Sequence, residues 1–179
     1  DMGAFESAFA DVPSTVVTTL EDVVNKNDGV ISLREAIENA KSLQTPITFS
    51  DTLVSNIINM TLKTYLIDVD IEINASNFAG GITINANNLS NIFRVTAGSK
   101  LKIESLQLTG GNSSHGGAIF IENGTVSLTN TLLYGNTATE NGGAIYMTNG
   151  YTLKLLNTTV AGNSSTEGSG GIYSGSTTT

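Results

Sequence analysis

The side chains that could do chemistry in this chain are few, and most are acidic. Asp68, Asp70 and Glu72 stand at alternate positions. On a β-strand, residues i and i+2 face the same way. Three such carboxylates form an acidic ladder that could hold Ca²⁺. All-oxygen Ca²⁺ sites normally draw on a loop, so a solvated strand face is the preferred reading. His115 is the one histidine, set in Asn-Ser-Ser-His-Gly-Gly. It lacks a Ser or Asp partner near it in sequence, and reads as an exposed turn residue rather than a catalytic base. Arg34 and Arg94 are the only arginines. Arg34 is expected to pair with a nearby carboxylate or carbonyl. Polysaccharide cleavage would need clustered acids, or a carboxylate-held Ca²⁺ beside a cationic base. The seven aspartates all fall at or before position 70. Beyond it only Glu72, Glu104, Glu122, Glu140 and Glu167 remain, scattered singly. These read as solvated surface acids. No catalytic, cofactor-binding or firm metal-ligating residue is assigned, and no cofactor is expected. Gly110-Gly111, Gly116-Gly117 and Gly142-Gly143 lack the Lys-Ser/Thr of a phosphate loop.

Composition narrows the classes. The 179 residues carry 16 acids against 8 lysines and arginines, a net charge of −8. That balance disfavours nucleic acid and anionic membranes. Apolar residues make up 39%, enough for a continuous core, while charged residues are only 13%. The polar surface is instead Asn, Thr, Ser and Gly. There is no cysteine, so neither disulfides nor a thiolate metal site. No run is apolar enough for a membrane span or a signal peptide, so a signal would lie upstream of Asp1. Asn-x-Ser/Thr occurs at Asn59, Asn74, Asn88, Asn112, Asn123, Asn157 and Asn163, read first as Asn-rich turns.

The elements that must position these groups repeat. Ile92-Phe93, Ile119-Phe120, Ile145-Tyr146 and Ile172-Tyr173 recur 27, 26 and 27 residues apart. Gly98, Gly124 and Gly150 keep a 26-residue step. Gly111-Asn112, Gly135-Asn136 and Gly162-Asn163 run alongside. A fixed period of this size marks stacked supersecondary units. Leu101/Ile103, Val126/Leu128 and Leu153/Leu155 alternate with polar residues at matching places, as do Val69, Ile71 and Ile73. Three short strands and three corners fill one period, which predicts an all-β right-handed parallel β-helix. Gly117 and Gly143, in repeated Gly-Gly-Ala-Ile, are assigned structural roles. Asn130 with Asn157, and Asn136 with Asn163, are 27 apart and predict amide ladders. Phe93, Phe120, Tyr146 and Tyr173 could stack sugars if they faced out. Their registration favours an internal or edge stack instead.

One helix interrupts this pattern. Ser32 is its expected N-cap and Glu35 completes a capping box. Leu33, Ala36, Ile37 and Ala40 form one apolar face. This amphipathic helix is expected to cap the first coil, closing an open sheet edge. The predicted organisation is a linker or preceding tail over 1–15, a strand-plus-helix cap over 16–45, and the β-helix over 46–179, cut within a coil.

Val17-Thr18-Thr19, then Asp28-Gly29-Val30-Ile31-Ser32-Leu33-Arg34-Glu35-Ala36-Ile37, resembles the CSLREA-type leader of bacterial and archaeal surface proteins. Ile31 stands where that family has its cysteine. Ile92 to Val95, Leu106 to Asn112 and Gly116 to Ile119 are similar to the coils that follow such leaders. Gly-Gly-Ala-Ile also resembles chlamydial polymorphic membrane proteins. Asp1-Met2-Gly3-Ala4-Phe5-Glu6 is similar to the ending that closes such β-helices. The resemblance implies a right-handed parallel β-helix and an extracellular or cell-surface location, with the export signal and anchor outside this sequence.

The expected function is therefore a non-catalytic β-helix module of a larger repetitive protein: a stalk, adhesin or matrix element. Its expected partners are copies of itself, neighbouring modules of the same protein, or surface glycans, without direct membrane insertion. A carbohydrate-binding or pectinase-like β-helix is the alternative.

Overall fold

The computed structural model describes residues 12–148 and 150–175. The Asp1–Glu6 resemblance lies outside the described residues. Among them, every strand pairing is parallel. The chain winds as a β-solenoid whose successive strands stack into long sheets.

Three faces run the length of the stack. The aromatic face comprises Tyr65–Ile67, Phe93–Val95, Ile119–Ile121, Ile145–Met147 and Ile172–Ser174. The charged face comprises Ile71–Asn74, Ser99–Glu104, Gly124–Thr129 and Thr152–Leu156. A third face comprises Ile57–Asn59, Ile82–Asn85, Leu106–Thr109, Leu132–Tyr134 and Thr159–Ala161. A shorter fourth sheet, Asn112–His115, Thr137–Asn141 and Ser164–Ser165, exists only in the later coils.

Period-two alternation builds the core. Ile73, Ile103 and Leu128 stack on one face, Ile84, Leu108 and Leu133 on another, and all six are buried. Apolar columns of this kind are the main driving force for stacking.

The cap forms as the capping box requires. The helix Leu33–Leu43 has Ser32 at its N-cap. The Ser32 hydroxyl accepts from the Glu35 N–H, and the Glu35 carboxylate accepts from the Ser32 N–H at 2.9 Å. Leu33, Ala36, Ile37 and Ala40 are buried in the same core as the strands. In chain order the helix takes the place of an aromatic-face strand, since Ile47 next joins the charged face opposite Ile73. Val16–Val17 pairs with Thr48–Phe49, and Glu21 bridges to Asn59, so residues 16–21 cover the open edge below the first coil.

The register corrects three expectations. Phe93 pairs with Ile119, while Phe120 pairs with Arg94, Tyr146 and, through it, Tyr173. Ile92-Phe93 is thus one residue out of step with the later pairs. Phe93 points inward, its ring 5.6 Å from that of buried Tyr65. The expected Gly-Asn series slips in the same way. Asn112 pairs with Thr137, and Gly110, Gly135 and Gly162 are the matching left-handed corners. Gly111 occupies the position of Asn136 and Asn163. Finally, Asp68, Val69 and Asp70 form the corner between the Tyr65–Ile67 and Ile71–Asn74 strands rather than part of one strand. Val69 is 36% exposed instead of inward.

Gly117 and Gly143 play the structural part assigned to them, for a reason the sequence did not give. Neither has a positive φ; their neighbours Gly116 and Gly142 do. A Cβ on Gly117 would collide with the backbone oxygen of Gly143, and one on Gly143 with those of Ser164 and Gly170. The coils approach too closely there for any side chain.

Candidate functional site

The fold gathers polar and aromatic side chains into four clusters and gives each a different task. The first is the acidic run. Lys41 Nζ lies 3.1 Å from Asp68 Oδ1 and 3.1 Å from Glu38 Oε2. Lys100 Nζ lies 3.4 Å from Asp70, and the Lys100 N–H donates to Asp70 Oδ1 at 2.8 Å. Lys102 donates to Glu72 at 2.8 Å, directly across the strand pair. Each carboxylate faces a lysine from the helix or the next coil. Among the described residues, no group of three or more His, Asp or Glu is placed to hold a metal ion. Asp68, Asp70 and Glu72, read from the sequence as a solvated strand face before a weak Ca²⁺ candidate, make ion pairs with lysines of the helix and the next coil. Burial opposes the charge on Lys41, but hydrogen bonds and charge attraction to Asp68 and Glu38 together raise its affinity for its proton, and the hydrogen bond to Glu72 does the same for Lys102.

The second cluster centres on Asp22, 3% exposed. Its carboxylate accepts from Arg34 Nε at 3.0 Å and Nη2 at 3.1 Å, from the N–H groups of Thr61 and Leu62 at 2.9 and 2.8 Å, and from Tyr65 Oη at 3.1 Å. The Arg34 guanidinium stacks 4.3 Å above the Tyr65 ring. Burial, and then the Asp22 charge, push the Tyr65 phenol well above the ordinary tyrosine range, with Arg34 opposing. This network ties the cap, helix and first coil together. Arg34 meets a carboxylate as expected. Asp22 was not singled out, because its partners lie up to 43 residues away and no local pattern marks it.

The third is the asparagine column. The buried Asn136 amide donates to Asn163 Oδ1 at 2.9 Å and to Leu108 O at 3.0 Å, and its Oδ1 accepts from the Gly111 N–H at 2.9 Å. Asn163 Oδ1 also accepts from the Asn136 N–H at 3.0 Å, and its amide donates to Leu133 O at 2.9 Å. The predicted ladder forms here. It does not form at Asn130 and Asn157. Those two are exposed, stacked at φ 49° and 48°, and follow Ser105 at 58°. Among the described residues no side-chain hydrogen bond joins them; they serve the left-handed corner that asparagine tolerates.

The fourth is the outer side of the aromatic face. Leu66, Arg94, Phe120, Tyr146 and Tyr173 line up in register there, opposite to the inward column of Tyr65, Phe93, Ile119, Ile145 and Ile172. The Phe120 and Tyr146 rings are 5.4 Å apart, and those of Tyr146 and Tyr173 5.2 Å. His115 joins them, its ring 4.5 Å from Tyr146 and its Nε2 3.2 Å from Glu140. Arg94 lies over Phe120 at 5.6 Å and pairs with Glu122 at 2.7 Å. The later aromatics are thus half-exposed on an outer strip, and only Phe93 is internal.

Beside this strip the solenoid has a step. The connection from third face to aromatic face spans residues 86–92 in one coil, then lengthens to 110–118, 135–144 and 162–171. The longer connections carry the fourth sheet. Its first strand, Asn112–His115, overhangs the shorter corner below, bonded to it through the Asn112 N–H and Ser90 O at 3.0 Å. Under the overhang lies a groove of about 410 Å³, lined by Lys63, Thr64, Leu66, Asn91, Arg94, Ser113, Ser114, His115 and Phe120. The sequence named His115, Arg94 and Phe120 separately. The other residues come from three coils, and no local signal could group them.

The chain matches no protein-family model, no curated protein and no solved structure. Among the described residues, no helix is long and apolar enough to cross a membrane.

Proposed function

We propose that this chain is a non-catalytic β-helix module of a larger extracellular or cell-surface protein, serving as a stalk, adhesin or matrix element. One observation carries the reading: five of its acids face basic side chains of adjacent layers. Asp68 meets Lys41, Asp70 meets Lys100, Glu72 meets Lys102, Glu122 meets Arg94 and Glu140 meets His115. Charged chemistry in this molecule is arranged along the stacking axis, where it holds coil to coil. The leader resemblance supports the surface setting. The partners that fit best are further modules of the same kind or a second copy. Among the described residues, the Thr152–Leu156, Thr159–Ala161 and Ile172–Ser174 strands are each paired on one side, and Leu155, Leu156 and Ile172 are exposed beside them.

Incubation with pectins and alginates, read by reducing ends and unsaturated products, tests the absence of catalysis. No turnover is expected. Turnover abolished by Glu104→Gln or Glu122→Gln would overturn the reading. Light scattering at rising protein concentration tests the partner. Association is expected, and a monomer throughout the micromolar to millimolar range would remove self-association from the proposal.

A further inference from the structure

We propose that the groove beneath the Asn112–His115 overhang binds an acidic oligosaccharide, one whose sugar rings carry carboxylates. The proposal is independent of the scaffold reading and concerns a binding site only.

Three observations lead to it. First, the lining combines an apolar ring with short polar side chains. Phe120 is half-exposed in the lining, and Thr64, Ser113 and Ser114 add hydroxyl-bearing side chains to it. A pyranose has the matching surface, an apolar C–H face ringed by hydroxyls, and aromatic faces attract such polarised C–H groups. Second, in a chain of net −8, the groove holds one cation with no carboxylate partner among the described residues. Arg94 and His115 have their own carboxylates, Glu122 and Glu140. Lys63 is exposed at the groove and pairs with no carboxylate among the described residues. An anionic group on the ligand would complete it. Third, the groove exists because of a change in coil size. Its roof is the edge strand of a three-stranded sheet, and its floor is the shorter 86–92 corner. A site made by backbone geometry is preformed, so binding does not have to order it.

An extended saccharide fits this shape better than a compact ligand. The groove meets the outer strip at Phe120, and Tyr146 and Tyr173 continue that line from coil to coil. A chain of several sugars could start at Lys63 and pass Phe120.

The experiment uses the full chain, labelled for NMR, titrated with oligogalacturonates of four to six residues and in parallel with cello-oligosaccharides of the same length. Affinity on the order of millimolar is expected for the acidic series, with amide shifts at Asn91, Arg94 and Ser113 to Phe120. Phe120→Ala is expected to weaken binding about tenfold and Lys63→Ala about threefold. Lys154→Ala, on the charged face, should leave it unchanged. Lys63 is exposed and joins no ion pair among the described residues, so that variant reports on the site even if Phe120→Ala misfolds. Absence of binding, or binding indifferent to both Lys63→Ala and Phe120→Ala, would overturn the site. Equal affinity for the cello-oligosaccharides would overturn the acidic class.

Discussion

The cap and the later coils are both held by buried polar groups, but in opposite styles. At the cap, one carboxylate gathers five donors from four residues: Arg34, Thr61, Leu62 and Tyr65 all meet at Asp22. In the later coils, neutral amides repeat the same bonds layer after layer, as Asn136 does with Gly111 below and Asn163 above. The difference follows from geometry. A cap is a unique junction of non-repeating segments, and a charge with several donors fixes one arrangement. A coil recurs, so its polar groups must satisfy themselves between identical neighbours, and an amide, being both donor and acceptor, does this without accumulating like charge. A column of stacked carboxylates would repel itself. This chain keeps its aspartates within the first 70 residues.

The contrast can be broken at the hub. Asp22→Ala leaves a half-buried guanidinium, two N–H groups and a buried phenol without this acceptor. The expected loss is about 3–5 kcal/mol, measured by urea unfolding. A loss below that of the Ser32 change described below would mean that the hub is not what fastens the cap. The repeat side is tested by Asn136→Ala. That substitution orphans the Gly111 N–H and the Leu108 carbonyl in a buried setting, and about 2–3 kcal/mol should be lost. Asn163→Ala should cost less, because Asn163 is only half-buried. If the two cost the same, burial does not set the strength of the ladder.

Ser32→Ala sharpens the comparison within the cap. It removes the capping-box acceptor and a hydroxyl that donates to Val23 O at 2.7 Å, for an expected cost of about 1 kcal/mol in thermal or chemical unfolding. The smallest effect should appear in alkali. The folded state holds the Tyr65 proton more tightly than the unfolded chain does. Tyr65 is therefore neutral in both states below the ordinary tyrosine pKa of 10.0, and its contribution is intact there. As the pH rises past 10.0, the unfolded chain ionises first, and stability declines. Lys41 and Lys102, also raised, add to the decline in the same direction from 10.5. Tyr65→Phe should flatten the fall just above pH 10. An unchanged slope in Tyr65→Phe would show that Tyr65 is not the group responsible.

The sequence alone determined whatever depends on neighbours in the chain. The capping box at Ser32 and Glu35 needs only three residues. The apolar face through Ile37 needs two turns. The coil architecture follows from alternation and a period near 26 residues. The Asn136–Asn163 ladder was legible because both asparagines fall at the same place after a glycine corner. Tertiary structure decided what depends on register and layer. A single-residue difference in coil length turned Phe93 inward and Phe120 outward, since a slip of one exchanges the two faces of a strand. A one-residue slip in the next coil put Gly111 opposite Asn136, and the stacking of three coils brought Lys63, Arg94, His115 and Phe120 to one groove. Asp68, Asp70 and Glu72 read as a solvated strand face, and only the fold showed the lysines of the helix and the next coil that meet them. Ile103, Leu128 and Leu155 occupy one column at 0%, 1% and 42% exposure. Residues of one type at one repeat position differ only in what is stacked on them, and stacking is a long-range contact that no local sequence pattern records.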